Sequence, residues 1–285
     1  MTRPAVSVIV PFLGDGAEGA ELVGRLEALS VEAGDELIVA DNCESPGVSP
    51  PAGSRVRAVD ASRTRSASFA RNAGAEAATG EWLLFLDADC RPPASLLDDY
   101  FAEPPADGDG VVAGEIAGVD YQPAFLARWA RSRRGNWVEH HLGWGPMPAA
   151  VTANMLVRRT AFEQLGGFRM GGGGDVDLSW RAQEAGWGFA YRPRVVVRHH
   201  DRERLSELAD QAIAYGGHQR RLSELHAGVP RPPVVEPLVR ALGGALVWTV
   251  TLRFERAGFK LVDGYWSALV RWGWFRRGAG ARKAD

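Results

Sequence analysis

The sequence predicts an α/β fold with a mostly parallel central sheet. Three observations point to it. Over residues 5–90, short apolar runs alternate with segments whose apolar residues recur at helical spacing. Several of the runs lead directly into acidic or imidazole residues, as the strand ends of an open parallel sheet lead into a ligand crevice. And 285 residues, 46% hydrophobic and 24% charged, suffice for one large domain, or one domain with an appendage.

Ala5–Phe12 reads as a first strand ended by Pro11, with a loop at Gly14-Asp15-Gly16. Glu18 to Leu29 carries Leu22, Val23, Leu26 and Leu29 at helical spacing. Glu36–Ala40 is a second strand running into Asp41-Asn42, and Val56–Asp60 a weaker third. Ser66 to Ala78 is a small-residue helix closed by Thr79-Gly80. Trp82-Leu83-Leu84-Phe85-Leu86 then runs unbroken into Asp87-Ala88-Asp89. Such a run reads as a strand buried on both faces, which sets Asp87 and Asp89 on one side and Ala88 on the other.

Pro92-Pro93 opens a helix over 94–101. A strand follows at 110–116, a basic Trp-bearing helix at 123–136, and an irregular loop at Gly143–Pro148. Thr152–Val157 is a short strand, 160–165 a short helix stopped by Gly166-Gly167, and 171–174 a run of four glycines. A helix over 178–185, a strand at Arg194–Arg198 ending in His199-His200, and helix from Glu203 complete the pattern.

A net charge of −2 implies no nucleic-acid partner. Two cysteines, Cys43 and Cys90, imply neither a disulfide framework nor a zinc site. The chain enters a strand almost at once, without a signal segment, and no apolar run approaches the roughly 20 residues that span a bilayer. The expectation is a cytoplasmic protein, with peripheral contact at the inner face of the membrane left open.

Asp41, Asp87, Asp89 and His199 follow strand-like runs, and Asp175 follows a glycine loop and opens a helix. Carboxylate oxygens suit Mg²⁺ or Mn²⁺, and an imidazole is acceptable to Mn²⁺. A site of this kind can hold a diphosphate as it departs. Alternatively, the two aspartates form an acidic turn, and Asp175 is a helix N-cap.

The order of the motifs resembles that of the inverting family 2 glycosyltransferases, which have the nucleotide-diphospho-sugar transferase fold called GT-A. The matching stretches are Val6–Pro11, Glu36–Asn42, Ala70–Gly74, Thr79–Asp89, Asn154–Arg159, Gly166–Phe168, Gly174–Arg181 and Val195–His199. The resemblance covers about residues 5 to 220, and eight motifs in order are far more specific than any one. It implies a metal-dependent inverting transfer of a hexosyl group from a nucleotide-diphosphate sugar to an acceptor hydroxyl, as in glycoconjugate or cell-envelope synthesis. UDP is the nucleotide the family uses most often, with dTDP and GDP as alternatives.

The resemblance also implies roles. Pro11, Phe12, Asp41 and Arg71 line the donor pocket. Asp87 meets the ribose or sugar, while Asp89 and His199 hold the cation, Mn²⁺ or Mg²⁺, with His200 the nearest alternative to His199. Asp175 is the general base that takes the proton of the attacking hydroxyl. Asn154, Trp144 and His141 fall where the family contacts its acceptor, a glycan, a lipid-linked sugar or a small molecule. One position departs from the pattern: Gly174 stands where the family usually has an acidic residue before the base.

Residues 1–220 are therefore read as the catalytic domain, and 221–285 as a helical, basic, Trp-rich appendage. Over 253–285, eight Lys or Arg face three acids, interleaved with Trp266, Trp272, Trp274 and Phe275. That composition fits a helix in a membrane interface, and equally a helical cap with buried indoles. Two other functions remain open at this point. A nucleotidyltransferase of the same fold requires a basic phosphate loop after the first strand, and Phe12–Gly16 has no basic residue. A non-catalytic sugar-nucleotide-binding protein is suggested only by Gly174.

Overall fold

The computed structural model describes residues 3–134, 142–233 and 236–276. Its backbone groups into two compact units. The first comprises Met1–Val119, Asn136–Met170 and Gly174–His200; the second comprises Asp120–Gly135, Gly171–Gly173 and Asp201–Asp285.

In the first unit, β1 (Val6–Phe12), α1 (Gly16–Glu27), β2 (Glu36–Asp41), β3 (Val56–Asp60), α2 (Ala67–Glu76) and β4 (Trp82–Phe85) follow in the expected order. After them come β5 (Cys90–Arg91), α3 (Leu96–Phe101) and β6 (Asp109–Gly118). The second unit contributes α4 (Phe125–Arg134). The first resumes with a 3₁₀ turn (Thr152–Asn154), β7 (Met155–Arg158), α5 (Arg159–Gln164), α6 (Gly174–Glu184) and β8 (Gly188–His199). The strands form one sheet in the order β3-β2-β1-β4-β7-β6-β8-β5. The pairs β1–β2, β1–β4, β2–β3 and β6–β8 are parallel, while β7 and β5 run against their neighbours. The predicted mostly parallel central sheet is thus present, with β7 and β5 as its antiparallel strands.

The alternation of β4 explains why its run is apolar throughout. Trp82, Leu84 and Leu86 pack on one face of the sheet with Leu22 and Leu26 of α1 and Leu96 and Leu97 of α3. Leu83 and Phe85 pack on the other with Ala75 of α2, Phe162 of α5 and Leu178 of α6. Each such side chain contributes about 1.5–3 kcal/mol on full burial, so both faces favour this register.

The expected strand over Thr152–Val157 is a 3₁₀ turn in its first half and a strand only from Met155, and three further elements depart from the expectation. β1 continues through Pro11 to Phe12, because β4 pairs only as far as Ile9 and leaves Pro11 with a strand on one side alone. β8 is twelve residues long, not five. Its register against β6 shifts where Gly114↔Arg192 gives way to Glu115↔Val196, and Pro193 falls in that irregularity. And α6 begins at Gly174, four residues before the expected start.

In the second unit, α7 (Leu205–Leu225), α8 (Glu236–Val250) and α9 (Phe254–Phe275) join α4. Leu126, Trp129, Leu208 and Val262 form their core, with Phe259 and Trp266 against it. Trp129 donates to Asp263 at 3.0 Å. The α7 and α9 backbones meet at Gly216 and Gly273, where a side chain on either would strike the other helix's main chain. Gly171, Gly172 and Gly173 all have positive φ (103°, 83° and 68°) and lie against Arg221, His218 and Leu222 of α7. The glycine run is therefore required both by conformation and by space.

Candidate active site

The carboxyl end of β4 gathers the predicted acidic residues. Leu86 N–H still bonds Ile9 O at 3.2 Å, and Cys90 N–H closes a turn onto Asp87 O at 3.0 Å. Arg25 of α1 donates to Ala88 O at 2.5 Å and holds the residue between the two aspartates. The two-residue β5 then pairs Cys90 with His199, the last residue of β8. That pairing carries Asp89 to the imidazole, with His199 Nε2 3.0 Å from Asp89 Oδ1. His200 approaches the same residue through its backbone, its N–H 3.3 Å from Asp89 O.

Asp87, Asp89 and His199 each offer a ligand atom within 4.8 Å of the others. One His199 ring nitrogen, Nδ1, is buried and has no hydrogen-bond partner among the described residues. Two carboxylates and an imidazole suit Mn²⁺, and the oxygens suit Mg²⁺. The residues present therefore fit a divalent cation.

Arg71 projects from α2 and binds Asp87, Nη2 to Oδ1, at 2.6 Å; its side chain is 13% exposed. The Asp87 carboxylate is thus held in place by a cation before any ligand arrives. Cys90 is buried next to the aspartates; burial first, and their charges second, push its thiol well up, so it is no nucleophile.

Asp41 and Phe12 sit in register at the ends of β2 and β1. The Asp41 carboxylate is buried and accepts from Cys43 N at 3.1 Å, Gly47 N at 2.7 Å and Val48 N at 3.0 Å. Phe12 lies beneath Gly14 and Gly47, whose α-carbons have no room for a side chain. Asp41 therefore folds the 43–48 loop over Phe12, while Pro11 beside them is half-buried. The loop after β1 ends in Asp15, which caps α1 through Ala17 N (2.9 Å) and Glu18 N (3.0 Å), with Glu18 reaching back to Asp15 N at 3.0 Å. An acidic capping box occupies the donors that a phosphate loop would need.

Asp175 lies in the first turn of α6, half-buried. Its carboxylate accepts from Val176 N at 2.9 Å and faces Thr152 N of the 3₁₀ turn at 3.4 Å. Asp177 is buried and engaged by Arg181 at 2.7 Å and Arg169 at 3.1 Å. Arg181 also donates to Leu165 O and Gly167 O, so this pair fastens α6 to the glycine turn after α5.

The acceptor expectations divide. Asn154 is fully buried, and its amide donates to Glu115 O and Val195 O, both at 2.9 Å, while its Oδ1 accepts from Tyr100 at 2.8 Å. Placed so, it ties β6, β8 and α3 together and presents no face to a ligand. Trp144 is half-buried and stacks on Trp180 of α6, ring centroids 6.2 Å apart and planes 14° apart. Trp180 Nε1 binds Met147 O at 2.7 Å, which pins the 143–148 loop to the helix that carries Asp175. His141 lies outside the described residues.

A family model described as glycosyl transferase family 2 matches residues 7–166. Among characterised proteins, the chain is similar to pre-mycofactocin glycosyltransferase of Mycobacterium tuberculosis, 27% identical over 85% of this chain and 52% of that one. It thus spans about half the length of that relative. It is also similar to glycosyltransferase AglE of Haloferax volcanii, 25% identical over 70% of this chain and 67% of the other. Among solved structures, mannosyltransferase PcManGT of Pyrobaculum calidifontis, in complex with GDP-Man and Mn²⁺, superposes with a TM-score of 0.60 at 17% identity, over 93% of this chain and 88% of that one. GalNAc-T7, with UDP, GalNAc and Mn²⁺, gives 0.53 at 17% identity, over 70% and 43%. At such identities the likeness concerns the fold, which is GT-A.

Proposed function

The chain belongs to glycosyl transferase family 2, and from that premise we propose that it transfers a sugar from a nucleotide-diphosphate sugar to an acceptor hydroxyl, with inversion at the anomeric carbon. The observation that carries the reading is the convergence of Asp87, Asp89 and His199 at the strand ends, in one unit with Asp175. Asp89 and His199 would hold a divalent cation, and Arg71 fixes Asp87 for contact with the ribose or sugar. When bound, the cation offsets the charge of the diphosphate leaving group.

The other roles fall to the chain's own residues. Asp41 and Phe12 shape the loop at the nucleobase end, with Pro11 beside them. Asp175 accepts the proton of the acceptor hydroxyl as that oxygen attacks opposite the nucleotide. Thr152 N and Val176 N lie against its carboxyl oxygens. Gly174 supplies no second carboxylate beside it. Trp144, stacked on Trp180, offers an aromatic surface for an acceptor. UDP is the first nucleotide to test, and GDP stands beside it, because the PcManGT complex contains GDP-Man. Within the proposed assignment, residues 1–220 carry the chemistry and 221–285 the appendage, whose basic and aromatic helices are the place for contact with a membrane surface.

A thermal-shift panel of nucleotide sugars, each with Mn²⁺ and with chelator, tests the reading. It predicts stabilisation by one nucleotide series that is lost in chelator. A panel in which no nucleotide sugar shifts the melting temperature would refute it.

A further inference from the structure

The α8 helix is inside out. Its buried positions are the small Ala241 and Ala245, while Val239, Leu242, Leu246, Val247 and Val250 are exposed. Leu242 and Leu246 are each 66% exposed, Val250 is 74% exposed, and the spacing puts all three on one stripe. Residues 241–252 contain no charged side chain. A helix of 15 residues is about 22 Å long, shorter than a hydrocarbon core of about 30 Å. No described helix is long and apolar enough to cross a membrane.

The turn after α8 has the same bias. Arg253 N–H reaches back to Trp248 O at 2.8 Å, and Leu252 N–H to Thr249 O at 3.0 Å. This is the Schellman pattern, in which glycine usually fills the left-handed position. Here that position is Leu252, with φ 58° and 74% exposure. The turn therefore holds a large apolar side chain outward at a backbone cost glycine would avoid. Arg253 and Arg256, both exposed, stack on the Trp248 indole at 5.4 and 5.0 Å. The acids of α9 are already engaged: Glu255 with Arg128 at 2.7 Å, and Asp263 with Lys260 at 3.1 Å. Apolar residues with a Trp and arginines at their margin, on an element too short to span, match the chemistry of an interfacial helix.

We propose that the outward face of α8 and the α8–α9 turn form a docking surface for an anionic lipid bilayer, with Leu242, Leu246, Val250 and Leu252 entering the headgroup–acyl boundary and Arg253 and Arg256 on the headgroups. This deepens the membrane contact named above and does not depend on the transfer chemistry. It also moves the contact from the basic segment after residue 253 to the uncharged stretch before it.

Flotation of the full chain with phosphatidylcholine vesicles, with and without about one third phosphatidylglycerol, tests the surface. The chain is expected to float with the anionic vesicles, with a blue shift of its Trp emission. The double variant Leu246→Glu/Val250→Glu and the pair Arg253→Glu/Arg256→Glu should each lower the bound fraction by about tenfold or more. Both keep the circular dichroism spectrum and melting temperature, since all four side chains are exposed. Failure to float with either vesicle, or equal binding by the Glu variants, overturns the proposal. A concentration-dependent dimer in sedimentation that Leu246→Glu/Val250→Glu dissolves gives the face to a second copy of the chain and overturns it as well. Nucleotide-sugar binding measured without lipid reads the transferase assignment separately, because none of the four residues belongs to that site.

Discussion

His199 Nε2 stands 3.0 Å from Asp89 Oδ1 because two residues of backbone, Cys90 and Arg91, pair with the end of β8. Neither residue reaches the other through its own strand; the short antiparallel pairing is what joins them. If both hold the cation, Asp89→Asn or His199→Ala should weaken nucleoside-diphosphate binding in Mn²⁺ by about 10–100-fold. Calorimetry in chelator should then give the wild type and the variants the same affinity. An Asp89→Asn chain that still gains affinity from Mn²⁺ would remove Asp89 from the metal site.

Asp175→Asn keeps the shape of the side chain and its contact with Thr152 N but removes the base. Transfer should fall by about 10²–10⁴-fold, the usual contribution of a positioned base. Donor affinity should stay the same, since the residue is assigned to the acceptor hydroxyl. Release of nucleoside diphosphate and calorimetric donor binding, measured on one preparation, separate the two. Unchanged turnover would place the base elsewhere.

Asn154→Ala tests whether that residue serves stability or acceptor binding. It takes the amide donor from Glu115 O and Val195 O and the side-chain acceptor from the Tyr100 hydroxyl, which keeps the residue's main-chain oxygen at 3.1 Å, all in a fully buried position. Urea unfolding should show a loss of about 1–3 kcal/mol, the cost of buried groups left unsatisfied. Below the transition, nucleoside-diphosphate affinity should be unaltered. An acceptor KM that rises with no loss of stability would restore the residue to acceptor recognition.

Acid stability should depend on Asp35. Burial alone would push its carboxyl up, but Arg3 and the N–H groups of Val6 and Glu32 outweigh burial and hold it below the ordinary carboxylate range. Arg3 donates to it at 2.8 and 2.5 Å, and both side chains are buried. A carboxyl lowered on folding contributes stability above its unfolded pKa and loses it as pH falls through the folded one. Wild-type stability should therefore fall as pH drops below about 4, the unfolded value for Asp. Asp35→Asn should lose about 1–3 kcal/mol at neutral pH, because it leaves Arg3 with Asp98 (2.9 Å) as its remaining carboxylate partner, and should show a flatter decline in acid. An equal slope in both chains would discount the pair.

The sequence carries the sheet and the acidic strand ends because both rest on runs of residues. The Trp82–Leu86 run has the apolar content of a strand with two buried faces, and Asp87 and Asp89 terminate it. What escaped it depends on single residues. β5 is too short to have a pattern, yet it delivers His199 to Asp89. Pro193 interrupts β8 and hides its first half, and the structure absorbs that residue in a register shift. Arg25 looks like any solvated arginine in the last turn of an amphipathic helix, although it braces Ala88. The basic residues after 253 are visible in composition, whereas the signal in α8 is the outward direction of its large side chains. Periodicity marks which residues share a face, but not whether that face finds a partner.

Gly145 packs directly under the Trp180 ring. A side chain at Gly145 would collide with the indole ring, and the Met147 carbonyl anchors the same indole. Since Trp180 and Asp175 share α6, the 143–148 segment behaves as a cartridge keyed to the helix at one point. If Trp144 meets the acceptor as proposed, the outer residues of the segment can be exchanged to suit another acceptor while the key, a glycine under an indole, is retained.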